Sequence, residues 1–276
     1  MNDNHGLKIT IVSVVYNGVK TIENMIMSVV NQSYKNIEFI IIDGGSVDGT
    51  VDILKKYDTQ ITFWCSEKDN GIYDAMNKAL DHVSGDYVQF IGADDFFISE
   101  NVISDIVAEI DHNVSLYSTC VTCVNEETGF EFTPGHFRTT FGKLEFSWIQ
   151  HGGLFTKSDL IKKIRFDDKY KVSADYKFIL QCLKEEYSVQ YSNIVTIYFS
   201  QSGISSKSYN DICMLENMQI SNELNLGLVY RPIPYWKKLI KNSFFFSVMD
   251  KIRKIIFQNG KKHRCQNNWC RWCRGK

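Results

Sequence analysis

Four apolar runs, Leu7 to Val15, Ile37 to Ile42, Ile61 to Cys65 and Asp86 to Ile91, each give way to a polar turn, and this rhythm constrains the fold more than any other feature. Between them lie segments of helical period. Thr21 to Asn31 gathers Ile22, Met25, Ile26, Val29 and Val30 on one face; Asp48 to Tyr57 follows; Gly71 to Val83 turns Ile72, Met76, Ala79, Leu80 and Val83 inward. Strands that alternate with helices predict a parallel sheet joined by right-handed crossovers. Ligands of such sheets bind beyond the carboxyl ends of the strands. At those ends stand Tyr16-Asn17, Asp43-Gly44-Gly45-Ser46-Val47-Asp48-Gly49-Thr50, Ser66-Glu67-Lys68-Asp69-Asn70-Gly71 and Gly92-Ala93-Asp94-Asp95.

Beyond the fourth run, Ser99 to Ile110 predicts another helix, and strand-like pieces follow at Leu116 to Val124, Phe130 to Thr133 and Ile149 to Phe155. A helix over Ala174 to Glu185 and a strand over Val189 to Tyr198 precede the polar loop Ser200 to Ser206. A chain of 276 residues holds one large α/β domain, with or without an appendage. The net charge of −1 hides an asymmetry: residues 232–276 carry twelve Lys/Arg against one acid, Asp250, a net +11, and leave −12 on the other 231 residues. In that stretch Trp236, Leu239, Ile240, Phe245, Val248, Met249, Ile252, Ile255 and Ile256 interleave with lysines and arginines. The pattern predicts an amphipathic helix that lies on an anionic surface rather than one that spans a bilayer, with docking on the chain's own body as the alternative. Its aromatic content favours a membrane over nucleic acid. Met1 to Gly6 is polar and Ile9 to Val15 is too short for a secretory leader, so the chain is expected in the cytoplasm with its eight cysteines as free thiols. The spacing of Cys265, Cys270 and Cys273 matches no strong zinc pattern.

Val15-Tyr16-Asn17, the Asp43 to Thr50 run, Ser66-Glu-x-Asp-x-Gly-Ile-Tyr-Asp-Ala-Met-Asn-Lys and Ala93-Asp-Asp occur in order, and together they resemble the family 2 inverting glycosyltransferases. Within that family the chain is most similar to bacterial enzymes of O-antigen, capsule or exopolysaccharide synthesis. The matching motifs cover roughly residues 7–96, with weaker echoes to about 206. The resemblance implies a GT-A fold over residues 1–231: a Rossmann-like nucleotide-sugar half at about 7–96, an acceptor half at about 97–231, and the basic tail 232–276 beyond. It further implies a UDP-sugar donor carrying a hexose or N-acetylhexosamine. The acceptor would be a saccharide on undecaprenyl diphosphate, and the enzyme would sit peripherally on the inner face of the cell membrane without nucleic acid as a partner.

The same resemblance assigns roles. Tyr16 and Asn17 would pack beside the base. Asp43 would accept hydrogen bonds from base or ribose, with Gly44 permitting close approach. Glu67, Asp69, Asp74 and Lys78 would line the donor, Lys78 toward the diphosphate. Asp94 and Asp95 would hold manganese or magnesium, whose charge offsets that of the leaving diphosphate. The family's usual Asp-x-Asp begins here with Gly92, a departure that leaves open which of the two carboxylates is the main ligand. Lys171-Val172-Ser173-Ala174-Asp175-Tyr176 is similar to the run that bears the family's general base, which implies Asp175 in that role. Gln150-His151-Gly152-Gly153 resembles an acceptor-side stretch, where His151 would bind metal, phosphate or sugar. Ser202-Gly203-Ile204-Ser205 resembles a mobile loop near the donor.

Two other enzyme classes fit less well. A nucleotidyltransferase needs a glycine-rich basic loop after the first strand, and residues 13–20 offer one glycine and one lysine. A dinucleotide-dependent oxidoreductase needs G-x-G-x-x-G at the same place, and it is not there. A catalytically inactive relative that scaffolds polysaccharide assembly stays open because of Gly92.

Overall fold

The computed structural model describes residues 6–125, 129–200 and 210–227. The first half follows the predicted rhythm: β1 (Ile9–Val15), α1 (Ile22–Val30), β2 (Ile37–Asp43), α2 (Thr50–Lys56), β3 (Phe63–Ser66), α3 (Ile72–Leu80) and β4 (Tyr87–Gly92). These strands pair in parallel in the order β3-β2-β1-β4. From β1 the chain therefore winds first to one side and then to the other, and the crevice between β1 and β4 is the point where winding reverses. Open α/β sheets bind ligands at that point.

Along β2 the side chains alternate between two cores, Phe39 and Ile41 to one face of the sheet, Ile40 and Ile42 to the other. Both faces are covered, which is why the strands read as unbroken apolar runs. Met25, Ile26 and Val29 of α1 pack on one face; Tyr73, Met76 and Leu80 of α3 pack on the other.

The second half adds β5 (Phe96–Phe97), α4 (Val102–Glu109), β6 (Leu116–Asn125), β7 (Phe130–Phe132), β8 (Arg138–Phe141), β9 (Leu144–Ser147), β10 (Leu154–Lys157), α5 (Ser158–Ile164), α6 (Ala174–Lys184), β11 (Val189–Ser200) and α7 (Asn210–Glu223). Its strands extend the same sheet rather than build a second one, in the order β4-β10-β6-β11-β5, with β7 on the side of β6 and β8-β9 as a separate hairpin. The expected strand over Ile149 to Phe155 begins instead with a 3₁₀ turn, His151–Gly153, and only then enters β10. Strand β10 runs antiparallel to both β4 and β6. Because it is reversed, its leading end lies where β4 finishes, and the His151 turn is delivered to the carboxyl edge of the parallel strands. The Gln89 amide fixes that turn by donating to the Gly152 carbonyl at 2.6 Å.

Sequence periodicity does not foretell β5, α5, α7 or the β8-β9 hairpin. Helix α7 buries Glu216 and Ser221 beside Ile220 and exposes Ile212 and Leu215, so it has no apolar stripe to read. Cys120 and Cys123 are buried in the sheet, and all five cysteines among the described residues are free thiols. No helix among the described residues is long and apolar enough to cross a membrane. The Ser202 to Ser205 loop and the tail 232–276 lie outside the described residues.

At the opposite edge of the sheet Glu38 interrupts the apolar β2 and is buried. It accepts from Lys8 Nζ at 2.8 Å, from Thr10 Oγ1 at 2.7 Å, from the Ser84 N–H at 2.7 Å and from the Ser84 hydroxyl. Burial alone raises a carboxyl pKa, but these four donors outweigh it and bring Glu38 down to about 2. A depressed carboxylate contributes stability that is complete above its unfolded value and is lost as pH falls through the folded one. Urea unfolding across pH should therefore find wild type more stable than Glu38→Gln at pH 7, with the gap closing between pH 4.5 and about 2.

Candidate active site

Three loops meet at the carboxyl edge of β1, β2 and β3. Asn17 adopts a left-handed backbone (φ 51°), a conformation that asparagine tolerates better than most residues. It ties the first loop to the second: its N–H donates to Ser46 Oγ at 2.6 Å, and its side-chain oxygen accepts from the Val47 N–H at 3.0 Å. Thr50 Oγ1 and Asp48 add two more cross-loop bonds, accepting from the Gly18 and Val19 N–H groups. Tyr16, next to this knot, presents its ring to solvent, 63% exposed.

Asp43 is fully buried where β2 ends. Its Oδ2 accepts from the Gly45 and Ser46 N–H groups at 3.1 and 2.9 Å and from Ser66 Oγ at 2.6 Å. Its Oδ1 is buried and has no hydrogen-bond partner among the described residues. A buried acceptor left over in this way costs free energy unless a ligand N–H or O–H completes it. Gly44 leaves room for its neighbour: a Cβ there would stand 2.5 Å from Asp69 Oδ2, so the Asp69 carboxylate would have to move.

The third loop is knitted from the other predicted donor residues. Asp69 accepts from the Gly71 N–H at 3.0 Å, and Asp74 accepts from the Asn70 N–H at 2.9 Å. Lys78 is held between two acids, 2.7 Å from Glu67 and 3.5 Å from Asp74, and its hydrogen bond to Glu67 raises its pKa. An incoming phosphate must compete with those carboxylates for the ammonium. Asn77 turns away from this group and pairs with the backbone of Phe166 through both side-chain atoms.

At the end of β4 the two adjacent acids part company. Asp95 is 3% exposed, and its Oδ1 accepts from the Ser200 N–H at 2.9 Å, so it braces the end of β11. Burial, and secondarily the Asp94 carboxylate, holds Asp95 well above the usual carboxylate range. Asp94 is half-buried. A Cβ at Gly92 would lie 2.7 Å from Asp95 Oδ2 and 3.0 Å from Asp94 Oδ1, so both carboxylates occupy the space that a side chain would fill. Among the described residues no group of three or more His, Cys, Asp or Glu side chains is placed to hold a metal. A divalent ion here would take Asp94 as a protein ligand and complete its shell with substrate phosphate and water, an oxygen set suited to magnesium or manganese.

On the other side of the crevice Asp175 stands in the first turn of α6. Tyr73 of α3 donates to its Oδ1 at 2.7 Å, and His151 Nδ1 lies 3.8 Å from its Oδ2. The imidazole stacks on Phe90, with ring centroids 5.6 Å apart, and meets the edge of Phe166. Burial lowers the His151 pKa, with Asp175 opposing, so the ring is neutral at pH 7. Burial, then the Asp175 charge, raises the Tyr73 hydroxyl far above its ordinary value and keeps it a donor. The arrangement leaves a partly exposed carboxylate on the edge of an aromatic wall, one oxygen pinned and the other facing a neutral imidazole. Such a group can receive a proton from a hydroxyl brought into the crevice. Sequence reasoning missed Tyr73, Phe90 and Phe166 as parts of this wall, although Tyr73 stands inside the Gly71-Ile72-Tyr73-Asp74 motif.

The glycosyl transferase family 2 model matches residues 10–171. An uncharacterized glycosyltransferase of Haemophilus influenzae is 29% identical over 252 residues, covering 86% of this chain and 96% of that protein. Two solved structures superpose with a TM-score of 0.61 at 18% identity, each over 82% of this chain. They are S. aureus TarS 1-349 in complex with UDP-GlcNAc, 68% covered, and a mannosyltransferase from Pyrobaculum calidifontis in complex with GDP-Man and Mn2+, 66% covered. At that identity the likeness speaks for the fold, a GT-A arrangement of mixed α/β layers on a mostly parallel sheet. With the family motifs, the switch-point crevice and the matched span in agreement, the chain belongs to glycosyl transferase family 2 and is a glycosyltransferase.

Proposed function

We propose that the chain is an inverting, divalent-metal-dependent enzyme. It would move a hexose or N-acetylhexosamine from a UDP-sugar to a lipid-linked saccharide in the synthesis of a bacterial surface polysaccharide. The observation that carries this reading is a pair of carboxylates: Asp43 at the carboxyl end of β2, whose buried Oδ1 lacks a partner among the described residues, and the partly exposed Asp175, to which Tyr73 donates. The first suits the N–H of a uracil ring, with Tyr16 free to cover the ring's face. The second suits the hydroxyl proton of an acceptor. The neighbours solved with UDP-GlcNAc and with GDP-Man and Mn2+ support a nucleotide-sugar donor and a metal.

In the proposed reaction Asp43 and the Gly44-Gly45 backbone seat the nucleoside, and Asp94 stands beside the diphosphate. When bound, a divalent ion supplies charge compensation for the leaving UDP without a proton. Asp175 takes the proton from the acceptor hydroxyl as that oxygen attacks the anomeric carbon opposite the departing phosphate, so the configuration inverts. Tyr73, donating to Oδ1, fixes the orientation of the carboxylate beside the His151 ring. A saccharide on undecaprenyl diphosphate fits a cytoplasmic enzyme whose basic amphipathic segment, residues 232–276, rests on the anionic inner face of the membrane.

A screen of UDP-sugars for hydrolysis and for transfer to lipid-linked saccharides, with and without EDTA, tests the reading. Metal-dependent turnover is expected, and binding without turnover for any donor would favour the scaffold alternative. Asp43→Asn should weaken UDP binding by at least about tenfold in calorimetry, the scale of one buried hydrogen bond. Asp94→Ala should lose metal-dependent turnover while the fold is retained; near wild-type activity at limiting manganese would remove it from the metal site. Asp175→Asn should keep UDP affinity and lower kcat by at least about 10²-fold, the lower range for loss of a general base. A variant that no longer bound UDP would move Asp175 to the donor side.

A further inference from the structure

We infer that Glu216 of α7 is a positioning residue for the transfer reaction, acting through the backbone that carries Asp175. The inference rests on the reading of Asp175 as the base. Glu216 is buried, and its carboxylate accepts from three successive backbone N–H groups: Lys171 at 2.7 Å, Val172 at 3.0 Å and Ser173 at 2.9 Å. Consecutive N–H groups that converge on one anion form a rigid concave mount. Residues 171–173 are the turn that leads into α6, and Ser173, the residue before its first turn, makes no side-chain capping bond of its own. The capping anion is thus supplied from another helix, two residues ahead of Asp175.

A second grip on the same segment separates docking from positioning. Glu223, two helical turns beyond Glu216 on the same side of α7, bridges Lys169 and Lys177 at 2.7 Å each, and both lysines also reach Asp167. Those partners are side chains, partly exposed, and they fasten α7 to α6 without touching the backbone of the turn. Glu216 alone holds the main chain. Small displacements of a catalytic group cost rate steeply, since an error of about 1 Å is worth about 10²-fold. Loss of the mount should therefore show in kcat, before donor affinity.

Glu216→Gln keeps the volume but turns an N–H₂ toward donors that need an acceptor. The expected result is a kcat lowered by at least about tenfold, with unchanged donor KM and unchanged UDP affinity by calorimetry, in a protein still folded at the assay temperature. Placed on Asp175→Asn, the same change should cost nothing further, because residues that act through one group do not add. Glu223→Gln, the control for docking, should lower the melting temperature and leave kcat within about twofold. Equal losses from Glu216→Gln in both backgrounds, or an equal kcat loss from Glu223→Gln, would overturn the inference and leave the base assignment standing. A fully active Asp175→Asn would instead remove the base assignment, and the inference with it. Should Glu216→Gln not fold, Glu216→Asp, which keeps the charge and shortens the reach, takes its place in the cycle with the same expected outcomes.

Discussion

The pairing of β10 between β4 and β6 is the contact on which the rest of the site depends. A parallel α/β half on its own offers only donor-side loops, because every segment that returns to the amino edge passes behind the sheet. By entering reversed, β10 brings the residues before it to the carboxyl edge, and the Gln89 to Gly152 bond locks them there. The aromatic wall of Phe90, His151 and Phe166 and the carboxylate of Asp175 then face the β1-β4 crevice from across the sheet. One strand direction thus brings side chains from both halves of the chain to the same edge of the sheet.

Charge in the crevice is mostly balanced within the protein. Lys78 is satisfied by Glu67 and Asp74, Asp69 by the backbone of its own turn, and Asp95 by Ser200. The second oxygen of Asp43 stands out as a buried acceptor with no partner among the described residues, and the Asp175 carboxylate is partly exposed. Burial, which lowers the His151 pKa, keeps a second cation out of the wall beside Asp175. The loops after β1 and β2 are tied to each other by Asn17, Ser46, Asp48 and Thr50 through four cross-loop hydrogen bonds.

The first half was legible because both of its determinants are local. Unbroken apolar runs such as Phe39 to Ile42 announce strands covered on two faces, and the acids at their ends stand in contiguous motifs. The second half was legible only in pieces. Asp175 and His151 carried family-like neighbours, but the hydrogen bond from Tyr73 to Asp175 spans about a hundred residues and leaves no trace in spacing. Helix α7 was invisible for a physical reason: it buries Glu216 and Ser221 beside Ile220 while Ile212 and Leu215 are exposed, so no hydrophobic period marks it. Glu38 escaped notice likewise, as one acid within an apolar strand whose partners Lys8 and Ser84 come from distant segments.

Gly92 carries a consequence for what position 92 tolerates. The carboxylates of Asp94 and Asp95 occupy the volume above its Cα, and Asp95 is anchored there by the main chain of β11. A side chain at position 92 would have to displace one or both carboxylates, and moving Asp95 would cost it the hydrogen bond from the Ser200 N–H. The bare Cα at residue 92 is what lets two adjacent acids share the end of β4.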